Sequence, residues 1–88
     1  MENLDWSLIR AFLAVAEIGS LSAAARTLGS SQPTVGRQGR EVETALGVEL
    51  FQRHAKGLSL TETGAAMLPA AKRMRDSVGE IALLAAGQ

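Results

Sequence analysis

Glycine placement is the strongest constraint on this chain. Gly19-Ser20, Gly29-Ser30-Ser31, Gly47 and Gly57 cut its 88 residues into short segments, and helices commonly stop at glycine. Everything before Gly57 must therefore be built from short elements. The first segment predicts a helix over about 4–18, because Leu8, Ile9, Phe12, Leu13, Val15 and Ala16 recur at steps of three and four. Ser20 offers an N-cap for a second, short helix over about 21–28. Its Ala23-Ala24-Ala25 run lets another helix pack close. Ser31 caps a third helix that ends at Leu46-Gly47, and Pro33 falls in the first turn, where its missing N–H costs nothing. Val35, Gly39, Val42 and Leu46 form the buried stripe of that helix.

Val48–Phe51 and Leu58–Leu60 read as two short strands. The polar, basic connector 52–57 between them makes a small hairpin, or wing. Thr61-Glu62 then opens a last helix able to reach Ala86, which Pro69 is expected to kink. The expected fold is mainly α: a winged helix-turn-helix over 1–61, with a three-helix core and a two-stranded wing, followed by a dimerisation helix over 62–88.

So short a chain buries only a modest core, and without cysteine it cannot add disulfides. Oligomerisation is the remaining route. Met67, Ala71, Met74, Val78, Ile81 and Ala85 alternate steps of four and three along the last helix, a short a/d seam that predicts a homodimer.

Nine basic and nine acidic side chains cancel, which by itself argues against a nucleic-acid partner. Their distribution argues the other way. Arg26, Arg37, Arg40, Arg53 and Lys56 outweigh Glu41, Glu43 and Glu49 in the middle third, and 26–40 contains no acid. Two helices joined by a tight Gly29-Ser30-Ser31 turn, the second with a polar and basic outer face, form a helix-turn-helix. Such a helix fits the major groove and meets base edges with its N-terminal residues. Opposite the buried stripe stand Gln32, Pro33, Thr34, Gly36, Arg37 and Arg40. Gln can pair with adenine and Arg with guanine. Thr34 brings a hydroxyl and a methyl, and a glycine at 36 would let the backbone come close to DNA.

Ala23-Ala24, Leu28, Ser31-Gln32-Pro33-Thr34-Val35 and Arg37-Gln38 are followed by Glu43, Leu46-Gly47-Val48, Leu50-Phe51, Arg53, Gly57, Leu60-Thr61 and Gly64. In this order and spacing, over about residues 4–75, the chain closely resembles the N-terminal domain of LysR-type bacterial transcription regulators. The N-terminal domain of molybdate-responsive repressors looks similar, but the Ser-Gln-Pro element favours LysR. The resemblance implies sequence-specific binding of double-stranded DNA by dimers, with tetramers open to a full-length protein. It places Gln32, Pro33, Thr34, Gly36 and Arg37 at the groove and Arg53 in the wing contact; Ser31, Arg40 and Lys56 complete the candidate DNA-binding set. A small-molecule effector would act only through the larger C-terminal domain that usually follows. Two residues depart from the pattern: Gly36 stands where Ser or Thr is usual, and Gly39 where a large aliphatic is usual.

Plainer readings stand beside these. Arg37 and Arg40 make an ordinary solvated face if they pair with Glu41 or Glu43, and Arg53 a surface partner of Glu49. His54 and Lys56 serve as generic wing charges, and Arg26 touches phosphate or nothing. Met67 and Met74 serve as core or interface filler, and Trp6 packs at the edge of the first helix. With one histidine and no cysteine, no metal or other cofactor is expected. No nucleophile–base pair or phosphate loop suggests an enzyme. The acidic N-terminus and the lack of a long apolar run make the cytoplasm the expected location. The alternative to DNA binding is a helical dimerisation module, motivated by Gly36, Gly39 and zero net charge.

Overall fold

The computed structural model describes residues 4–88, so the first three residues of the expected N-terminal unit lie outside it. Four helices and one hairpin follow in the order α1 (Trp6–Ile18), α2 (Leu21–Leu28), α3 (Gln32–Leu46), β1 (Phe51–His54), β2 (Gly57–Leu60) and α4 (Glu62–Ala86). This is the expected mainly helical, winged architecture.

Each helix begins at a side-chain cap. Asp5 accepts the Leu8 N–H at 3.2 Å and the Ser7 hydroxyl at 2.6 Å. The Ser7 hydroxyl, then the Leu8 N–H, hold the Asp5 carboxyl below its ordinary pKa. That cap starts α1 at Trp6, two residues later than the apolar spacing suggested. Ser20, Ser31 and Thr61 accept from Ala23, Thr34 and Gly64 in the same way. Gly29 closes α2 at φ +64°, a left-handed conformation that side chains other than glycine rarely adopt. It makes the α2–α3 turn as tight as a helix-turn-helix requires.

The core is shared between the helices. Leu8, Ile9, Phe12 and Leu13 of α1 pack against Val42, Leu50 and Ala71, with Trp6 and Leu46 at the margin. Ala11, Ala14 and Val15 meet Ala24 and Ala25 of α2 and Val35 of α3, where small side chains allow close approach. The rings of Phe12 and Phe51 lie 5.6 Å apart at 54°, which ties the hairpin to α1.

The hairpin is shifted from its expected place. Phe51 pairs with Leu60, Gln52 with Ser59, Arg53 with Leu58 and His54 with Gly57, leaving a two-residue turn at Ala55-Lys56. The polar residues 52–54, expected in a connector, are strand. Ladder bonds use backbone groups, so a strand needs apolar side chains only where it touches a core. Here Phe51, Leu58 and Leu60 supply that contact. Val48–Leu50 instead leads into the strand, with Leu50 only 1% exposed.

α4 runs unbroken through Pro69. Ala65 and Pro69 are both exposed, so the carbonyl that loses its helical partner lies on the solvated side. The first half of α4 rests on α1, and the body measures 48 × 27 × 20 Å, the long dimension reflecting the far half of α4.

Gly39 is buried on the α3 stripe, yet a Cβ built there meets nothing within 4 Å. A methyl therefore fits. Gly39→Ala is expected to gain about 1 kcal/mol from helix propensity, which is roughly 4–8 °C in Tm for a domain of this size. A thermal melt followed by circular dichroism checks it, and a lower Tm would show that α3 needs the missing side chain.

Candidate nucleic-acid interface

The N-terminal half of α3 presents a polar surface. Ser31 is committed to the helix start: its hydroxyl donates to Thr34 Oγ1 at 2.8 Å while accepting the Thr34 N–H at 3.3 Å. Thr34 is half-exposed, and Gln32, Pro33, Arg37 and Arg40 are exposed. Gly36 departs from expectation. It is buried, with Leu21 Cδ1 and Arg40 Nη1 lying 3.7 and 3.6 Å from where its Cβ would stand. Its backbone is covered by these two side chains instead of open to a partner. The reason is angular: residue 36 sits on the flank of α3 that faces α2 and the wing.

Arg37 Nε lies 3.4 Å from Glu41 Oε1, with both side chains more than half exposed. An exposed i,i+4 pair is worth only about 0.2–0.5 kcal/mol, so a phosphate or a guanine edge can take Arg37 from it. Arg40 and Arg53 have no carboxylate partner among the described residues, so the plainer reading of Arg53 as a surface partner of Glu49 does not hold. Arg53, His54 and Lys56 are exposed along the wing.

These elements converge. Ser20 and Ser22 at the start of α2, Gln32 at the start of α3, and Arg53, His54 and Lys56 of the wing border one open depression of about 450 Å³. Gly57 closes its wing side, where a Cβ would stand 3.1 Å from the carbonyl oxygen of Gly19. Helix N-termini carry unsatisfied N–H groups and positive potential. Two helix starts and two basic side chains on one face therefore form an anion-attracting surface, despite the zero net charge.

The sequence reading missed what Glu43 does. Its Oε2 accepts the N–H groups of Leu50 and Phe51 at 2.8 and 3.3 Å, fastening the wing strand to the end of α3. A carboxylate placed to spoil an electropositive face is instead turned inward to hold the wing at its angle. A lone Glu in the last turn of a glycine-ended helix gives no sequence signal of such a bond.

The expected seam on α4 divides in two. Ala71 is 5% exposed and Met67 packs beside it, both in the domain's own core. The first half of α4 covers the core beside Phe12 and Leu13, where Ala71 is buried and Met67 half-buried. Met74, Val78, Ile81 and Ala85 are exposed, as are Leu83 and Leu84, which the seam omitted. The division falls at Arg75, whose Nη1 donates to Glu17 Oε1 at 2.6 Å and ties α4 to α1. That hydrogen bond raises the Arg75 pKa further above its ordinary value.

Residues 6–65 match the family model described as bacterial regulatory helix-turn-helix protein, lysR family. The HTH-type transcriptional regulator TfdS of Cupriavidus pinatubonensis is 49% identical over 71 residues, covering 81% of this chain and 24% of that protein. Among solved structures, the CbnR_DBD–DNA complex superposes with a TM-score of 0.84 at 37% identity, over 97% of this chain and 100% of that one. The BenM_DBD/catB site 1 DNA complex gives a TM-score of 0.87 at 27% identity, over 93% and 92%. The chain spans about a quarter of the length of several curated relatives it matches, TfdS among them.

Proposed function

This chain belongs to the lysR family of bacterial regulatory helix-turn-helix proteins, and from that premise we propose that it binds double-stranded DNA sequence-specifically as a homodimer, serving a transcription regulator. The observation that carries the reading is the single face shared by the two helix starts and the basic wing. α3 enters the major groove, Gln32, Pro33, Thr34 and Arg37 meet base edges, and Arg53 and Lys56 hold backbone or minor groove. Residues 1–61 form the DNA-binding unit, and 62–88 the linker and dimerisation helix, its first half also completing the core. The relatives are named as regulators, and no catalytic role is assigned. No described helix is long and apolar enough to cross a membrane. Action on bacterial DNA places the protein in the cytoplasm.

The test begins with selection of binding sites from a random DNA pool, with no small molecule added. Two half-sites should emerge about one helical turn apart, or a multiple, as a dimer requires. Fluorescence anisotropy on the selected duplex then separates the roles. Arg37→Ala should relax preference at one position per half-site, since an arginine–guanine pair carries about 1–3 kcal/mol of discrimination. Arg53→Ala should weaken all sequences alike and reduce the salt slope by about two, since a dimer loses the contact twice. With about four phosphates neutralised per dimer, log K should fall with log[salt] at a slope near −3.6. Swapped phenotypes would reverse the assignment. Affinity indifferent to salt would leave dimerisation alone as the function.

A further inference from the structure

We propose that Arg40 reads a guanine and that Gly36 is the positioning residue that lets it do so. The proposal deepens the DNA-binding reading and rests on it. Helical side chains lean toward the N-terminus of their helix, over the preceding turn. Arg40 does so: Nη1 lies 3.6 Å from where the Cβ of Gly36 would be. Its guanidinium thus stands in the place of the side chain that residue 36 lacks.

That displacement matters for function. One helical turn is about 5.4 Å, and a recognition helix meets bases with its N-terminal residues. A guanidinium carried back from 40 to 36 moves from the middle of α3 toward the reading end. Space for this is built in. A cavity of about 150 Å³ lies between α3 and the wing, with Gly36 and Gly39 on one wall and Phe51 and Leu58 on another. Arg40 itself, Arg53 and Glu43 also line it. No carboxylate or hydrogen-bond acceptor holds that head among the described residues, whereas Arg37 is paired with Glu41. A free, planar fork of donors matches guanine O6 and N7.

Four variants and the wild-type chain decide the matter, by site selection and by anisotropy at fixed salt on duplexes differing at single positions. The wild type should require guanine at a position distinct from the one that Arg37→Ala relaxes. Arg40→Ala should lose that preference, by about 5- to 100-fold, and Arg40→Lys, which can still reach guanine as a point charge, should keep only part of it. Lysine keeps the charge but not the fork. Gly36→Val, whose branches fill the space of the guanidinium, should lose the same position. Gly36→Ala adds a methyl at ordinary contact distance and should keep it. Circular dichroism reports folding, and if Gly36→Val does not fold, Arg40→Ala still decides. Guanine preference retained in Arg40→Ala would overturn the proposal, and uniform weakening across sequences in Arg40→Ala would overturn it and make Arg40 a phosphate contact. A wild-type chain that binds no duplex would instead overturn the DNA-binding reading itself, and this proposal with it.

Discussion

Replacing Gly64 with alanine is expected to lower the Tm by roughly 8–16 °C. Gly64 lies in the first turn of α4 and is buried. A Cβ there would overlap the carbonyl oxygen of Leu50, and would stand 3.2 Å from its carbon and 3.0 Å from Leu60 Cδ2. Whether Leu50 can retreat settles the size of the effect, and it is held on every side. Its N–H donates to Glu43 at 2.8 Å, its oxygen accepts the Thr61 N–H at 2.9 Å, and its side chain is 1% exposed. Thr61 is pinned in turn, donating to the Glu49 carbonyl at 2.7 Å and accepting the Gly64 N–H at 3.0 Å. Helix propensity alone would favour alanine by about 1 kcal/mol. Overpacking against a fixed backbone costs about 1–3 kcal/mol, occasionally more, and a rigid oxygen belongs at the upper end. The same substitution at Gly39 and at Gly64 should therefore move Tm in opposite directions. Thermal melts of both variants test this pair, and an unchanged Tm for Gly64→Ala would mean that the α4 junction yields more readily than its hydrogen bonds suggest.

That contrast also shows which features local sequence makes legible. Helix ends were readable because a cap and a terminating glycine act within a few residues, as at Ser31 and Gly47. The motif order was readable as a family resemblance, whereas the close approach at Gly64 shows only in the structure. What escaped depends on contacts far apart in sequence. β1 was misplaced because Gln52-Arg53-His54 reads as a loop until its ladder partner at 57–59 is known. Glu43 was read as a charge, since its partners lie seven and eight residues ahead across a glycine turn. Gly36 was assigned to the outer face by its angle on an isolated helix, but α2 brings Leu21 against it. The Glu17–Arg75 pair spans 58 positions and has no local signature. On α4, only the docking against α1 shows that the inward face ends near Ala71.

Beyond that point α4 is an unsupported helix, and Ile81→Glu is expected to weaken the homodimer by about 100- to 10,000-fold. Val78 is 41% exposed, Ile81 66% and Leu84 62%, on the part of α4 that no other element covers. A helical segment this short is marginal in water without packing, so an apolar stripe on it calls for a partner. The stripe is not all round: Leu83, 76% exposed, points to the opposite side. A two-fold interface is isologous, so one substitution acts twice. Losing the burial of an isoleucine costs about 1.5–3 kcal/mol per copy, and two copies give the range above. Because Met67 and Ala71 belong to the domain core, fewer than two heptads remain to hold the copies together. The dimer of these 88 residues should consequently respond to concentration in the micromolar range. Sedimentation velocity of the wild type, Ile81→Glu and Leu83→Glu tests the assignment, with Leu83→Glu expected to dimerise normally. DNA affinity should fall in step for Ile81→Glu, because two half-sites would then be bound independently and the gain from effective concentration is lost. A wild-type chain that stays monomeric, or an Ile81→Glu chain that still dimerises, would move the interface off this stripe.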